Sequence, residues 1–201
     1  MEVKMPEPNI EEVLTKISLK IAKSSHGCIF VIMRNKFDYE PLLEQDIKPF
    51  KVAENMRRTE AVALLDGSCI ITPDGNLIAY SANILNVKNY TGYGTRHSAA
   101  YTASQNGNTV ILSSEEDSKV RIFKDGKLIM QLDPFAKNIE KNAKEAISIL
   151  ESVGVGALSA VGVALLVPSI GISLLPGILI FGSSHYAFKL VGSLLDKNKK
   201  E

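Results

Sequence analysis

Apolar positions along this chain recur with two different periods, and the switches between them mark out its elements. Ile10, Val13, Leu14, Ile17 and Ile21 repeat every three or four residues, with Lys16, Lys20 and Lys23 on other faces, which predicts an amphipathic helix. Asn9 stands at the N-cap position and Glu12 follows three residues later, as in a capping box. Ser24-Ser25-His26-Gly27 ends that helix, and Cys28 to Met33 is a short apolar run bounded by turn residues, read as a buried strand. Short helices are predicted at 41–44 and 52–56, around a loop at Pro49. Residues 61–65, 69–72 and 76–82 read as strands. Pro73-Asp74-Gly75 joins the last two, because proline presets φ and glycine accepts a positive φ. A helix is predicted over residues 94–104, where Ala99, Ala100 and Ala103 permit close packing. Strands follow at 109–113, 119–123 and 127–131, the last two linked by the hairpin dipeptide Asp125-Gly126.

Helices and strands are mixed without a strict βαβ rhythm. The fold class this implies is α/β, a mixed twisted sheet with flanking helices. Pro134 closes that unit, so a domain over residues 1–134 is expected. Residues 135–151 read as a connecting helix with Lys137, Glu140, Lys141, Lys144, Glu145 and Glu151 on its polar face.

Residues 152–195 differ from all that precedes them: Lys189 is their one strong charge. The run is long enough for two helices of ~20 residues each, with Pro176-Gly177 at the turn and Pro168 kinking the first helix. This predicts a C-terminal apolar helical hairpin, followed by a basic tail at 196–201. Lysines flank both ends, at Lys137, Lys141 and Lys144 before and Lys197, Lys199 and Lys200 after. A membrane hairpin would leave both flanks cytoplasmic, and its many glycines would let helices approach in lipid. The expected location is the cell membrane, with the domain over residues 1–134 in the cytoplasm. The other reading is a hairpin buried in an oligomer, with the whole protein cytoplasmic.

Composition narrows the partners. The 201 residues carry 23 Lys and Arg against 22 Asp and Glu, and no basic block resembles a phosphate-tracking stripe, so nucleic acid is not expected. Cys28 and Cys69 sit in apolar runs and read as buried free thiols in a reducing cytosol. No Cys/His cluster has zinc-ligand spacing. Met1 to Pro6 contains no apolar core of a signal peptide, so none is expected.

The candidate chemistry lies in three short stretches. Gly92-Tyr93-Gly94-Thr95-Arg96-His97 brings a hydroxyl, a guanidinium and an imidazole to a helix start, where backbone N–H groups already favour a polyphosphate. Thr95 serves either as helix cap or as phosphate contact. Upstream stands Asp66-Gly67-Ser68, and downstream Ser114-Glu115-Glu116-Asp117, each where a strand meets a loop. They offer a carboxylate for a hydroxyl and acidic metal ligands. Strand alternation points only one of Glu115 and Glu116 inward, without saying which. His26 and His185 show no partner and read as structural or exposed.

In order and spacing these stretches resemble the motifs of the diadenylate cyclase domain, the family named for the DNA-integrity scanning protein. That family carries Asp-Gly-Ala, Gly-Thr-Arg-His-Arg-x-Ala and Ser-Glu-Glu-Thr. This chain has Ser68 in place of the Ala, Ser98 in place of the second Arg, and Asp117 in place of the Thr. The resemblance implies condensation of two ATP into cyclic di-AMP with loss of two pyrophosphates, assisted by Mg2+ or Mn2+. It implies Asp66, Arg96 and His97 as catalytic residues and Gly67, Gly94, Thr95 and Ser114 as nucleotide contacts. Asp66, His97, Glu115 and Glu116 are the implied metal ligands. Because one site holds one ATP and the product joins two, it also implies a homodimer or higher homo-oligomer with sites apposed. Ser98 and Asp117 motivate a second reading, a nucleotide-binding sensor or membrane scaffold that keeps the fold without turnover.

Overall fold

A computed structural model describes residues 8–45, 47–153, 166–167 and 172–174. Its order is α1 (Ile10–Lys23), β1 (Cys28–Ile32), β2 (Tyr39–Pro41), β3 (Phe50–Lys51), α2 (Met56–Ala63), β4 (Ser68–Ile71) and β5 (Asn76–Ile84). There follow α3 (Thr95–Ser104), β6 (Thr109–Ser113), β7 (Val120–Lys124), β8 (Lys127–Leu132), α4 (Ile139–Val153), β9 (Leu166–Val167) and β10 (Ile172–Leu174). The strands form one mixed sheet in the order β2-β5-β4-β1-β6-β7-β8-β10-β9, with β3 also on β5. The sole parallel pair in that ladder is β1 with β4.

Strand alternation sorts the core into two layers. Cys28, Phe30 and Ile32 of β1 pack with Cys69, Ile71, Ile111 and Ile122 under Leu14, Ile17 and Ile21 of α1, Ala63 of α2 and Ala143 and Ile147 of α4. Ile29 and Val31 point the other way, with Ile70, Val110, Leu112 and Phe123, under Ala100 and Ala103 of α3. The sheet is therefore covered on both faces, which is why β1, β4 and β6 are buried at every position. Cys28 and Cys69 are free and buried, as their apolar setting indicated. Burial pushes the Cys28 thiol up to about 12 and raises that of Cys69 as well, so neither is a ready nucleophile.

Local signals account for the ends of elements. The Asn9 side chain accepts from the Glu11 N–H at 2.9 Å and caps α1, while Glu12 pairs with Lys144 of α4. Asp125 and Gly126 both take positive φ, 51° and 66°, as a tight hairpin requires. Three expectations fail. Residues 61–65 lie in and after α2, not in a strand, and that helix begins at Met56 rather than ending there. A short apolar run has no period of its own; here Thr59 and Ala63, four residues apart, supply the buried stripe. Residues 41–44 and 52–56 hold no helix before Met56, and β2 and β3 lie beside them, recruited by the long edge of β5. Finally, Leu166–Val167 and Ile172–Leu174 are strands extending the sheet from β8, where helix was expected. The rest of the expected hairpin and the basic tail lie outside the described residues, as does His185. Among the described residues no helix is long and apolar enough to cross a membrane.

One ionic cluster fastens α1 to the sheet end remote from the motifs. Glu11, 4% exposed, accepts from Thr109 Oγ1 and Lys124 Nζ, both at 3.1 Å, with Arg34 Nη2 at 3.7 Å. Removing one partner of a buried pair strands the other charge. Lys124→Met should therefore cost ~3–5 kcal/mol in urea denaturation, and adding Glu11→Gln should recover part of it. A loss below ~1 kcal/mol would place this pair among weak surface ion pairs.

Candidate active site

Pairing brings the three motifs to one end of the sheet. The parallel register sets Ile29 opposite Ser68, so the Gly27 and Asp66-Gly67 segments enter the sheet at the same end. The antiparallel register sets Cys28 opposite Ser113, so Ser114 to Asp117 leave at that end too. The start of α3 joins them through Arg96, whose Nη1 lies 2.6 Å from Glu115 Oε2.

Asp66 is exposed in the α2–β4 loop, its Oδ1 accepting from the Gly67 N–H at 2.9 Å. Gly67 has φ +92°, and a Cβ there would meet the backbone of Ser81 and Ala82 at 2.8–3.0 Å. Glycine thus lets the Asp66 turn sit on β5. Ser68 Oγ donates to the Ala82 carbonyl at 2.7 Å and secures the same contact; a family alanine could not make that bond.

The cap of α3 is Gly94, so no side chain satisfies this helix end and the Thr95 hydroxyl does not cap it. Its first N–H groups and the positive end of the helix dipole stay available to an anion. Arg96 Nη1 is buried and, despite its closeness to Glu115, has no acceptor in line with an N–H. The contact is an ion pair without a hydrogen bond. Glu116 Oε1 would lie 2.9 Å from a Cβ on Gly94. Both glutamates thus approach the start of α3, against the expectation that one would turn away. They stand in a turn beyond β6, where strand alternation no longer applies.

His97 is 3% exposed, lies tilted against the Tyr93 ring with centroids 4.7 Å apart, and its Nε2 has no partner. Burial first, and then the charge of Arg121, lower its pKa below the usual histidine value, with Glu116 and Asp117 opposing.

Two departures from the family motif prove structural. Ser98 is buried, accepts from the Tyr90 N–H at 3.1 Å and donates to the Gly94 carbonyl at 3.3 Å. It ties the glycine loop onto α3. Asp117 clasps Arg121 through two hydrogen bonds of 3.0 and 2.5 Å. Arg121 is 4% exposed, with Cζ 5.5 Å from the Tyr93 ring. Ser114 is buried beside this clasp and helps to hold the Asp117 carboxyl down.

Gly27, Arg121 and the stack of Tyr101, Tyr90 and Tyr93, with successive centroids 5.1 Å apart, escaped the sequence reading. The signal for Arg121 was a lone guanidinium in an apolar strand four residues after Asp117. Among the described residues no three His, Cys, Asp or Glu side chains gather to hold a metal. Two clefts, of about 500 and 490 Å³, lie elsewhere. One is lined by Asn9, Arg34, Lys51 and Asp74 at the far sheet end, the other runs between α1 and α4.

Residues 17–128 match the family model DAC, described as "DisA bacterial checkpoint controller nucleotide-binding". The chain belongs to this nucleotide-binding family. It is 38% identical over 150 residues to a protein named diadenylate cyclase from Haloferax volcanii, a match covering 65% of this chain and 55% of that one. It is 35% identical over 89 residues to a diadenylate cyclase from Methanocaldococcus jannaschii, covering 41% and 28%. The chain thus spans about half of one curated relative and about a quarter of the other. Among solved structures, DacA from Staphylococcus aureus, a double mutant, aligns at 17% identity and TM-score 0.46 over 70% of this chain and 93% of that one. A hypothetical membrane spanning protein from Bacillus cereus aligns at 16% and 0.47, over 59% and 61%.

The clasp between Arg121 and Asp117 has a pH signature. The Arg121 hydrogen bonds, against the opposing effect of burial, hold the Asp117 carboxyl down at about 2, from an ordinary 3.8. Its contribution to stability is complete above pH ~4 and lost as pH falls through ~2. Half-exposed pairs are screened, so ~1 kcal/mol is expected. The stability gap between parent and Asp117→Asn should be flat above pH 4 and close toward pH 2; a gap unchanged to pH 2 would contradict the clasp.

Proposed function

We propose that this chain condenses two ATP into cyclic di-AMP and releases two pyrophosphates, working as an apposed pair of copies. The observation that carries this is Arg96: a buried guanidinium nitrogen without a hydrogen-bond acceptor, at an uncapped helix start, beside two glutamates. That is a place for phosphate oxygens.

In each half of the reaction a ribose 3′-oxygen attacks the α-phosphorus of the facing nucleotide, and the bond to pyrophosphate breaks. Asp66 takes up or polarises the hydroxyl proton. Arg96 and the first N–H groups of α3 stabilise charge on the α-phosphate, an effect that grows in a water-poor site. His97, held against Tyr93, donates to a phosphate oxygen. A Mg2+ or Mn2+ ion would neutralise the phosphates. Such ions are held by one or two carboxylates plus the substrate's own phosphates. That demand suits Asp66 with Glu115 or Glu116, and it needs no three-ligand cluster. Two chains must meet because one α3 start serves one triphosphate.

The test is full-length protein with ATP and Mn2+ or Mg2+, with the product read by mass. Cyclic di-AMP and pyrophosphate in a one-to-two ratio are expected. ATP binding without conversion would favour the sensor reading. Asp66→Asn should abolish conversion while keeping ATP binding, and mixed with parent chains it should suppress turnover beyond dilution. Suppression strictly proportional to dilution would argue against a shared site.

A further inference from the structure

The turn that leads from α1 into β1 contains none of the three motifs, yet it touches the site. A Cβ built on Gly27 would lie 2.3 Å from Arg96 Nη1 and 3.0 Å from its Cζ, with the Ser113 carbonyl oxygen at 3.4 Å. The backbone itself does not call for glycine there. Among the described residues the glycines with positive φ are Gly67, Gly75, Gly92, Gly107 and Gly126, and Gly27 is not one of them. What excludes a side chain at this position is the guanidinium.

We infer that Gly27 is a positioning residue for Arg96, its missing side chain providing the recess in which the guanidinium lies. The turn cannot easily withdraw to make room. The His26 carbonyl accepts from Ser113 Oγ at 2.8 Å, Ser25 Oγ stands 3.3 Å from Ser118 Oγ, and Cys28 already pairs with Ser113 in the ladder. Arg96, by contrast, presents the far end of a flexible side chain. An added methyl therefore moves the guanidinium, not the turn, and breaks its 2.6 Å approach to Glu115. The functional consequence rests on the reading of Arg96 as a phosphate ligand.

A double-mutant cycle in the full chain separates this role from a structural one. Gly27→Ala should lower kcat/KM for ATP by ~10-fold or more, the size of one charge-assisted hydrogen bond. In an Arg96→Ala background the same change should cost less than ~2-fold, because coupling is confined to groups in contact. The thermal midpoint should equal or slightly exceed the parent's, as for alanine at a backbone that accepts it. The Arg96 Nε–H resonance, identified by its loss in Arg96→Ala, should shift in Gly27→Ala with no nucleotide present. Turnover of the parent chain tests the underlying reading; this resonance tests Gly27 whatever the turnover. An unmoved resonance would overturn the inference. So would equal losses in both backgrounds, or failure of Gly27→Ala to fold in both.

Discussion

Everything at the candidate site depends on how β1 is paired. Its five residues are buried throughout, and it is gripped on one side by β4 in parallel and on the other by β6 in antiparallel. Parallel pairing brings two strand beginnings to the same end; antiparallel pairing adds a strand ending. This combination gathers the Gly27 turn, the Asp66 loop and the Ser114–Asp117 turn, although they are far apart in sequence. A one-residue slip of β1 would exchange its two apolar faces between the α1 and α3 layers, so the packing that stabilises the sheet also fixes the site.

Charge at that end is organised around two arginines with different tasks. Arg121 is enclosed, satisfied at both terminal nitrogens by Asp117, and lies under Tyr93. It props the aromatic stack on which His97 rests. Arg96 is half-exposed and touched by Glu115 without a hydrogen bond. Asp117 takes both terminal nitrogens of Arg121, although its buried Nε has no partner, whereas at Arg96 a terminal nitrogen itself lacks one. On this difference we propose that Arg96 faces substrate and Arg121 supports it.

Much of this was legible in the chain. The helix at Ile10–Lys23, the buried strand at Cys28, the two hairpin turns and the glycine-started helix at Thr95 each carry a local signal with a mechanism. The residues around Leu64 did not, because a short apolar run fits helix and strand alike and only packing against β5 and β4 decides it. Strands β2 and β3 owe their form to an edge that exists only once β5 is folded. The motif residues were visible as motifs, but their partners were not. Gly27 announces no turn type, and its meaning appears only when a guanidinium 69 positions later lies against it. Ser98 and Asp117 read as losses from a pattern; in the fold each makes two hydrogen bonds of its own.

We propose that a triphosphate binds where the three loops meet, with its phosphates on Arg96 and the start of α3. A crystal structure of the chain with a non-hydrolysable ATP analogue and Mn2+ tests it most directly. The expected result is a phosphate oxygen within hydrogen-bond distance of Arg96 and of the first N–H groups of α3, with Glu115 withdrawn from the guanidinium. A nucleotide seated instead in the cleft of Arg34 and Lys51, with Arg96 still against Glu115, would contradict it.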